Sequence, residues 1–149
     1  MTKVVLLVED NASDEKLTLR AFKKSNLGNE VIVARDGQQA LDYLFATGAY
    51  AEKPTAPVTV VLLDLKLPKV DGLEVLRRIR SDERTRFLPV VVLTSSKQDE
   101  DLVQSYALGA NAYVRKPVDF LDFVEATKSL GLFWLLHNEP VPPGKEPLP

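Results

Sequence analysis

The feature that most constrains this chain is a set of short, unbroken apolar runs rich in β-branched residues: Val4 to Val8, Val60 to Leu63 and Val90 to Leu93. A strand with one face in water alternates apolar and polar residues, so runs without alternation suit strands covered on both faces. Val31 to Ala34 and Ala112 to Val114 carry a weaker form of the signal and bring the expected strands to five. Helical patterns separate them. Ser13 to Ser25 opens with Asp14 and Glu15, acids that favour a helix N-terminus, and spaces Leu17, Ala21 and Phe22 on one face. Gln38 to Phe45 collects Leu41, Leu44 and Phe45. Leu73 to Arg80 turns Leu73, Leu76 and Ile79 inward and Arg77, Arg78 and Arg80 outward. Asp99 to Leu108 repeats the theme with Leu102, Val103 and Tyr106, and Gly109 supplies a C-terminal cap. Strict alternation of strand and helix predicts an α/β fold, a doubly wound five-stranded parallel sheet with helices on both faces. With strand order 2-1-3-4-5 the winding reverses between the first and third strands, where such sheets bind their ligands.

A length of 149 residues suits one domain, expected over residues 1–137, followed by a Pro-rich tail over 138–149 that holds half of the ten prolines. Ala46 to Thr59, with two prolines, is expected to be a surface loop. A formal charge of −2 gives no pull toward nucleic acid or an acidic membrane, and the absence of cysteine removes disulfides and thiolate metal sites. The opening apolar stretch ends at two acids after five residues, too short for a signal peptide or a membrane span. A cytoplasmic protein is expected.

Chemistry concentrates at the strand ends. Glu9 and Asp10 follow the first strand and Asp64 follows the third, so three carboxylates converge on the switch point. Two like charges about 4 Å apart cost roughly 4 kcal/mol at an effective dielectric near 20, so a cation belongs among them. With one histidine and no cysteine the donor set is oxygen, which fits a hard divalent ion such as Mg²⁺. The fourth strand ends at Thr94 and the fifth at Lys116, a hydroxyl and an ammonium that could both bind a phosphoryl group placed on Asp64.

The acidic pair after "VVLLV", Asp64 in "VVLLDLKLPKVDG", Thr94 in "VVLTSS", and Tyr113, Lys116 and Pro117 in "AYVRKP" resemble a two-component response regulator receiver domain over nearly the whole chain. The resemblance implies a flavodoxin-like three-layer sandwich in which Asp64 is the phosphoacceptor for a histidine kinase phosphohistidine. It implies Mg²⁺ held by Asp10, Asp64 and the Lys66 backbone carbonyl, with Glu9 helping directly or through water. Lys116 would pair with the phosphoryl oxygens, Thr94 would swing in to bond them, and Tyr113 would turn inward, switching the surface around the fourth and fifth helices. The Lys116–Pro117 bond is expected to be cis, as in the family. Lys66 and Ser96 occupy positions that tune hydrolysis there, and Pro68 and Gly72 shape the loop into the third helix, Gly72 where the backbone comes close to the site. The protein would be a signalling switch that catalyses only its own phosphorylation and dephosphorylation.

"FATGAYAEKPTAP", "LDLKLPKVDGLEVLRRIR" and "SLGLFWLLHNEP" further resemble single-domain regulators paired with phytochrome-type histidine kinases. No helix-turn-helix follows, and Arg77, Arg78 and Arg80 read as a solvated helix face, so output is expected through protein contacts, without nucleic acid or membrane. Leu130 to Leu136 is apolar on more sides than one sheet requires, which favours a homodimer through the last helix; Phe133 and Trp134 read as packing residues and His137 as a surface residue. The rival readings fit less well. A phosphatase with an aspartate nucleophile looks for Asp-x-Asp after the first strand, whereas Asp64-Leu65-Lys66 follows the third. A nucleotide-binding enzyme or a flavodoxin-like carrier would want a phosphate loop where "EDNASDE" stands. A receiver-like scaffold that is never phosphorylated would have no use for a full set of chemical residues.

Overall fold

The computed structural model describes residues 3–52, 55–117 and 119–142. Five parallel strands, β1 (Lys3–Val8), β2 (Asn29–Ala34), β3 (Val60–Leu63), β4 (Val90–Thr94) and β5 (Ala112–Arg115), lie in the order β2-β1-β3-β4-β5. The helices are α1 (Ala12–Ser25), α2 (Gly37–Phe45), α3 (Gly72–Ser81), α4 (Asp99–Ala107) and α5 (Phe120–Gly131). β1, β3 and β4 are the unbroken apolar runs, and every residue of β3 and β4 is buried. One core layer packs Leu6, Val8, Leu63 and Val92 against Leu41, Val75, Leu76 and Ile79 of α2 and α3. The other packs Val5, Leu7, Leu62 and Val91 against Phe22 of α1 and Leu135 beyond α5. Side chains alternate across a strand, so unbroken apolar sequence is what a sheet clad on both sides requires.

Helix starts follow their capping chemistry. Asn11, Asp36, Asp71 and Asp119 each accept a backbone N–H of the first turn through the side chain. Gly109, at φ +97°, follows the end of α4, where its N–H donates to the Tyr106 carbonyl, as its capping role requires.

Three expectations change, and that of a surface loop over Ala46 to Thr59 is refined. Val103 and Tyr106 of α4 face solvent, and only Ser105 of that helix is buried. Arg80 does not point outward: its guanidinium folds back to donate to the carbonyls of Leu88 (2.7 Å), Gly109 (2.9 Å) and Arg86 (3.2 Å) and to Asn111 Oδ1 (2.9 Å). A rigid fork of donors is worth more on four fixed acceptors than in water. The loop from Ala46 to Thr59 contains a 3₁₀ turn, Gly48–Tyr50, whose Tyr50 stacks edge-on against Tyr43 at 5.1 Å. The Lys116–Pro117 bond, expected cis, is trans, since no peptide bond among the described residues is cis. Trans is favoured by about 0.5–1 kcal/mol, and with it the Lys116 side chain already reaches its partners.

Beyond α5 the chain widens into a π-helix, Leu132–His137, closed by the Asn138 N–H on the Phe133 carbonyl five residues back (2.8 Å). Leu135 is buried and Trp134 partly so, meeting the Phe133 ring edge-on at 5.0 Å. Leu132, Phe133 and Leu136 are 42%, 49% and 54% exposed, and His137 is exposed too. Asn138 is extended, and residues 139–142 form no helix or strand. Pro140, Val141 and Pro142 line a cavity of about 340 Å³ with Pro57, Phe87 and Pro89, at the amino ends of the strands. The rest of the expected tail, 143–149, lies outside the described residues.

Candidate functional site

The sheet itself sets the site. Glu9, Asp64 and Lys116 each stand just past a strand, and each has its N–H held by the last residue of a neighbouring strand: Glu9 by the Ala34 carbonyl (2.9 Å), Asp64 by Val8 (3.1 Å), Lys116 by Thr94 (2.7 Å). The parallel ladder thus runs one residue beyond the buried strands and fixes the backbone of each functional residue. Thr94 is the last residue of β4, fully buried in register with Arg115.

The side chains converge on Asp64. Thr94 Oγ1 donates to Asp64 Oδ1 at 3.0 Å, and Lys116 Nζ donates to Asp64 Oδ2 at 3.0 Å. The same ammonium donates to Glu9 Oε1 at 2.5 Å and to Asp14 Oδ2 at 2.9 Å. Lys66 N–H also approaches Asp64 Oδ1, at 3.4 Å. Glu9 and Asp64 are buried, at 2% and 7% exposure, while Asp10 is exposed.

Electrostatics follows from one cation facing several acids. Burial pushes the Glu9 carboxyl up to about 7, with the neighbouring Asp64 charge adding to the rise and the Lys116 bond opposing it. Burial alone would lower the Lys116 ammonium, but its bonds to Glu9 and Asp14 and the charges of Asp64 and Glu9 outweigh that and hold it protonated well above the usual range. A single ammonium cannot offset all of these carboxylates, and the most buried of them bears the excess.

The donor set suits a hard cation. Ligand oxygens of Glu9, Asp10 and Asp64 lie within 4.8 Å of one another, and no nitrogen or sulfur ligand stands among them. An open cleft of roughly 490 Å³, lined by Asp10, Leu65, Lys66, Leu67, Pro68, Asp71, Leu73, Gln98 and Asp101, leads to them. Gly72 keeps its floor tight: a Cβ there would meet the Asp64 carbonyl oxygen at 2.4 Å and Leu65 Cα at 2.5 Å.

Ser96 N–H donates to Thr94 Oγ1 (3.3 Å), and Ser96 Oγ donates to Asp101 Oδ2 (2.5 Å). Tyr113 is half-buried with its hydroxyl inside, and burial pushes the phenol above its ordinary value. Sequence reasoning misses Asp14, which reads only as a first-turn acid. Its signal is position: the first turn of α1 opens just after the strand-end pair, so an acid there can reach the ammonium that Glu9 meets. It also misses Asp101, whose side chain holds Ser96 and lines the cleft.

Fold and site together define a class: a doubly wound α/β protein that gathers acids, a hydroxyl and an ammonium at the carboxyl ends of β1, β3, β4 and β5. Residues 5–128 match the family model described as the response regulator receiver domain. The chain belongs to that family, and is a receiver-domain response regulator. It is 43% identical over 136 residues to the probable methanogenesis regulatory protein FilR2 of Methanothrix harundinacea, covering 91% of this chain and 85% of that protein. It is 39% identical to the response regulator Rcp1 of Synechocystis, covering 89% of each, and Rcp1 has a solved Mn²⁺-bound form (TM-score 0.87, 37% identity, 94% of this chain and 99% of that one). The phosphorylated cyanobacterial phytochrome response regulator RcpA superposes with a TM-score of 0.88 at 38% identity, covering 94% of this chain and 99% of that one. The bacteriophytochrome response regulator RtBRR is 56% identical, with a TM-score of 0.75 over 95% of this chain and 86% of that one. Membership of a response regulator family implies a histidine kinase as its partner.

Proposed function

We propose that Asp64 is the phosphoacceptor. A carboxylate oxygen of Asp64 attacks the phosphorus of a kinase phosphohistidine, an O–P bond forms, the N–P bond breaks, and the imidazole leaves with its electron pair. The observation that carries this reading is the placement of Asp64: one oxygen meets a hydroxyl, the other an ammonium, beside two further acids and at the head of an open cleft. Asp10, Asp64 and the Lys66 carbonyl, with Glu9 directly or through water, would hold Mg²⁺, which would supply neutralisation of the charge spread over the transferring oxygens. Lys116 binds a phosphoryl oxygen, Thr94 turns its hydroxyl from Asp64 to the phosphoryl group, and Tyr113 moves with it. Lys66 and Ser96, flanking the cleft, set the rate of hydrolysis.

The signal leaves through α4, β5 and α5, where Val103, Tyr106, Phe120 and Leu121 are exposed. A phytochrome-type histidine kinase is the upstream partner, supported by the likeness to the RcpA, Rcp1 and RtBRR regulators. A homodimer forms through the last helix, supported by the exposed Leu132, Phe133 and Leu136. The protein works in the cytoplasm beside that kinase; no helix among the described residues is long and apolar enough to cross a membrane.

Incubation with acetyl phosphate and Mg²⁺ tests the reading. Intact-mass spectrometry should show the gain of one phosphoryl group, absent in Asp64→Asn and in chelator. A gain that survives in Asp64→Asn would overturn the assignment. Light scattering with and without phosphodonor tests the dimer, which a monomer in both states would rule out.

A further inference from the structure

Lys116 is saturated. Its ammonium has three N–H donors and three carboxylate partners, and its side chain is 6% exposed. Two of those partners have other duties, if the phosphoacceptor reading on which this inference rests is right: Asp64 becomes an acyl phosphate, and Glu9 turns toward the cation. Asp14 has neither duty. It stands outside the group of acids whose oxygens converge on one point, and its backbone is pinned at both ends. Its N–H donates to Asn11 Oδ1 at 3.0 Å, its carbonyl accepts from Thr18 Oγ1 at 2.8 Å, and the Asn11 N–H in turn donates to Glu9 Oε2 at 3.2 Å. The first turn of α1 is therefore wired to the strand end and presents one carboxylate to Lys116 from a fixed point.

We propose that Asp14 is the positioning residue for Lys116: it holds the ammonium throughout phosphoryl transfer, so that a remaining N–H stays aimed at Asp64 when the other partners change. A flexible four-carbon side chain without that anchor has rotamers that point elsewhere. What Asp14 supplies is an acceptor at one place, so an amide oxygen in the same position substitutes for it and a methyl group does not.

Two measurements decide this on the full chain. The first is the rate of phosphorylation by acetyl phosphate with Mg²⁺ saturating. Asp14→Ala slows it about tenfold, the loss expected for one charge-assisted hydrogen bond, and Asp14→Asn stays within about threefold of wild type by the same arithmetic. Mg²⁺ affinity, measured by calorimetry, is unchanged in both. The second needs no phosphorylation: labelling by an amine-reactive ester, read at Lys116 by peptide mass. Lys116 is protected in wild type and Asp14→Asn, and is labelled several-fold faster in Asp14→Ala. Equal Lys116 labelling in wild type and Asp14→Ala overturns the proposal, as does an Asp14→Asn variant as slow as Asp14→Ala. If wild type takes up no phosphoryl group, the phosphoacceptor reading fails, and the labelling arm still decides what Asp14 does.

Discussion

Glu9 and Glu74 are the same residue in the same kind of bond, and they titrate in opposite directions. Glu74, on the outer face of α3, accepts from Arg77 at 2.6 Å and Arg78 at 2.8 Å, and those two bonds lower its carboxyl to about 2. Glu9 accepts from Lys116 at 2.5 Å, yet burial raises it to about 7. The number of cationic partners and the access of water together explain the contrast. Glu74 has water and two cations to itself, whereas Glu9, buried at the end of β1, shares one cation with Asp14 and Asp64. An exposed pair of this kind contributes little to stability. A buried site with more acid than base is held under electrostatic stress, and a divalent cation or a change of charge on Asp64 relieves or redistributes it. Such stress is what a switch needs and a surface helix does not.

The largest test of that contrast is Lys116→Met in Mg²⁺-free buffer. It strands the acids without their cation and should cost about 3–5 kcal/mol in urea unfolding, much of which added Mg²⁺ should return; an unchanged midpoint would mean the acids were never under stress. Gly72→Ala comes next, because its Cβ cannot avoid the Asp64 carbonyl and Leu65 Cα, both backbone atoms. About 1–3 kcal/mol should be lost, together with slower phosphorylation, and a variant as stable as wild type would show that the loop gives way freely.

The pH dependence is smaller and has a definite sign. The folded value of Glu9, about 7, lies above its ordinary 4.5, so the folded state holds its proton more tightly. The resulting stability is fully present below pH 4.5 and is lost as pH rises through about 7. The difference in melting temperature between wild type and Glu9→Gln, measured without Mg²⁺, should therefore widen in favour of Glu9→Gln from pH 5 to pH 8, and Mg²⁺ should narrow it. A difference that stays flat across that range would break the comparison at its centre. The smallest effect belongs to Glu74→Gln. Its lowered carboxyl matters only as pH falls toward 2, and solvent at the helix surface screens even that, so neither the unfolding midpoint nor the phosphorylation rate at neutral pH should move. A clear drop in either would place α3 in the site's electrostatics.

The sheet was legible because burial on both faces leaves one pattern in sequence, an unbroken β-branched run, and Val60–Leu63 lies where that pattern puts it. β1 and β2 start earlier than the apolar residues because the ladder pairs Lys3 with Asn29, and backbone pairing leaves no mark on side-chain character. The strand-end residues Glu9, Asp64 and Thr94 were legible for the same reason, since each is the first polar residue after its run, whereas Lys116 stands one place further on, behind the exposed Arg115. What sequence could not show is how long side chains fold back. Arg80 shares a spacing with Arg77 and Arg78 but finds carbonyls within reach, and Asp14 looks like any first-turn acid until Lys116 arrives from the far end of the chain. Val103 and Tyr106 have helical spacing, but on a short helix that buries only Ser105 the spacing does not say which face is inside.

The most direct measurement maps the modified residue. Protein treated with acetyl phosphate and Mg²⁺ is reduced with borohydride, which converts an aspartyl phosphate to homoserine, and peptide mass spectrometry locates the change. The stressed acid site described here predicts homoserine at residue 64 alone, with none formed when Mg²⁺ is chelated. Homoserine at residue 10 or 14, or at 64 regardless of Mg²⁺, would contradict it.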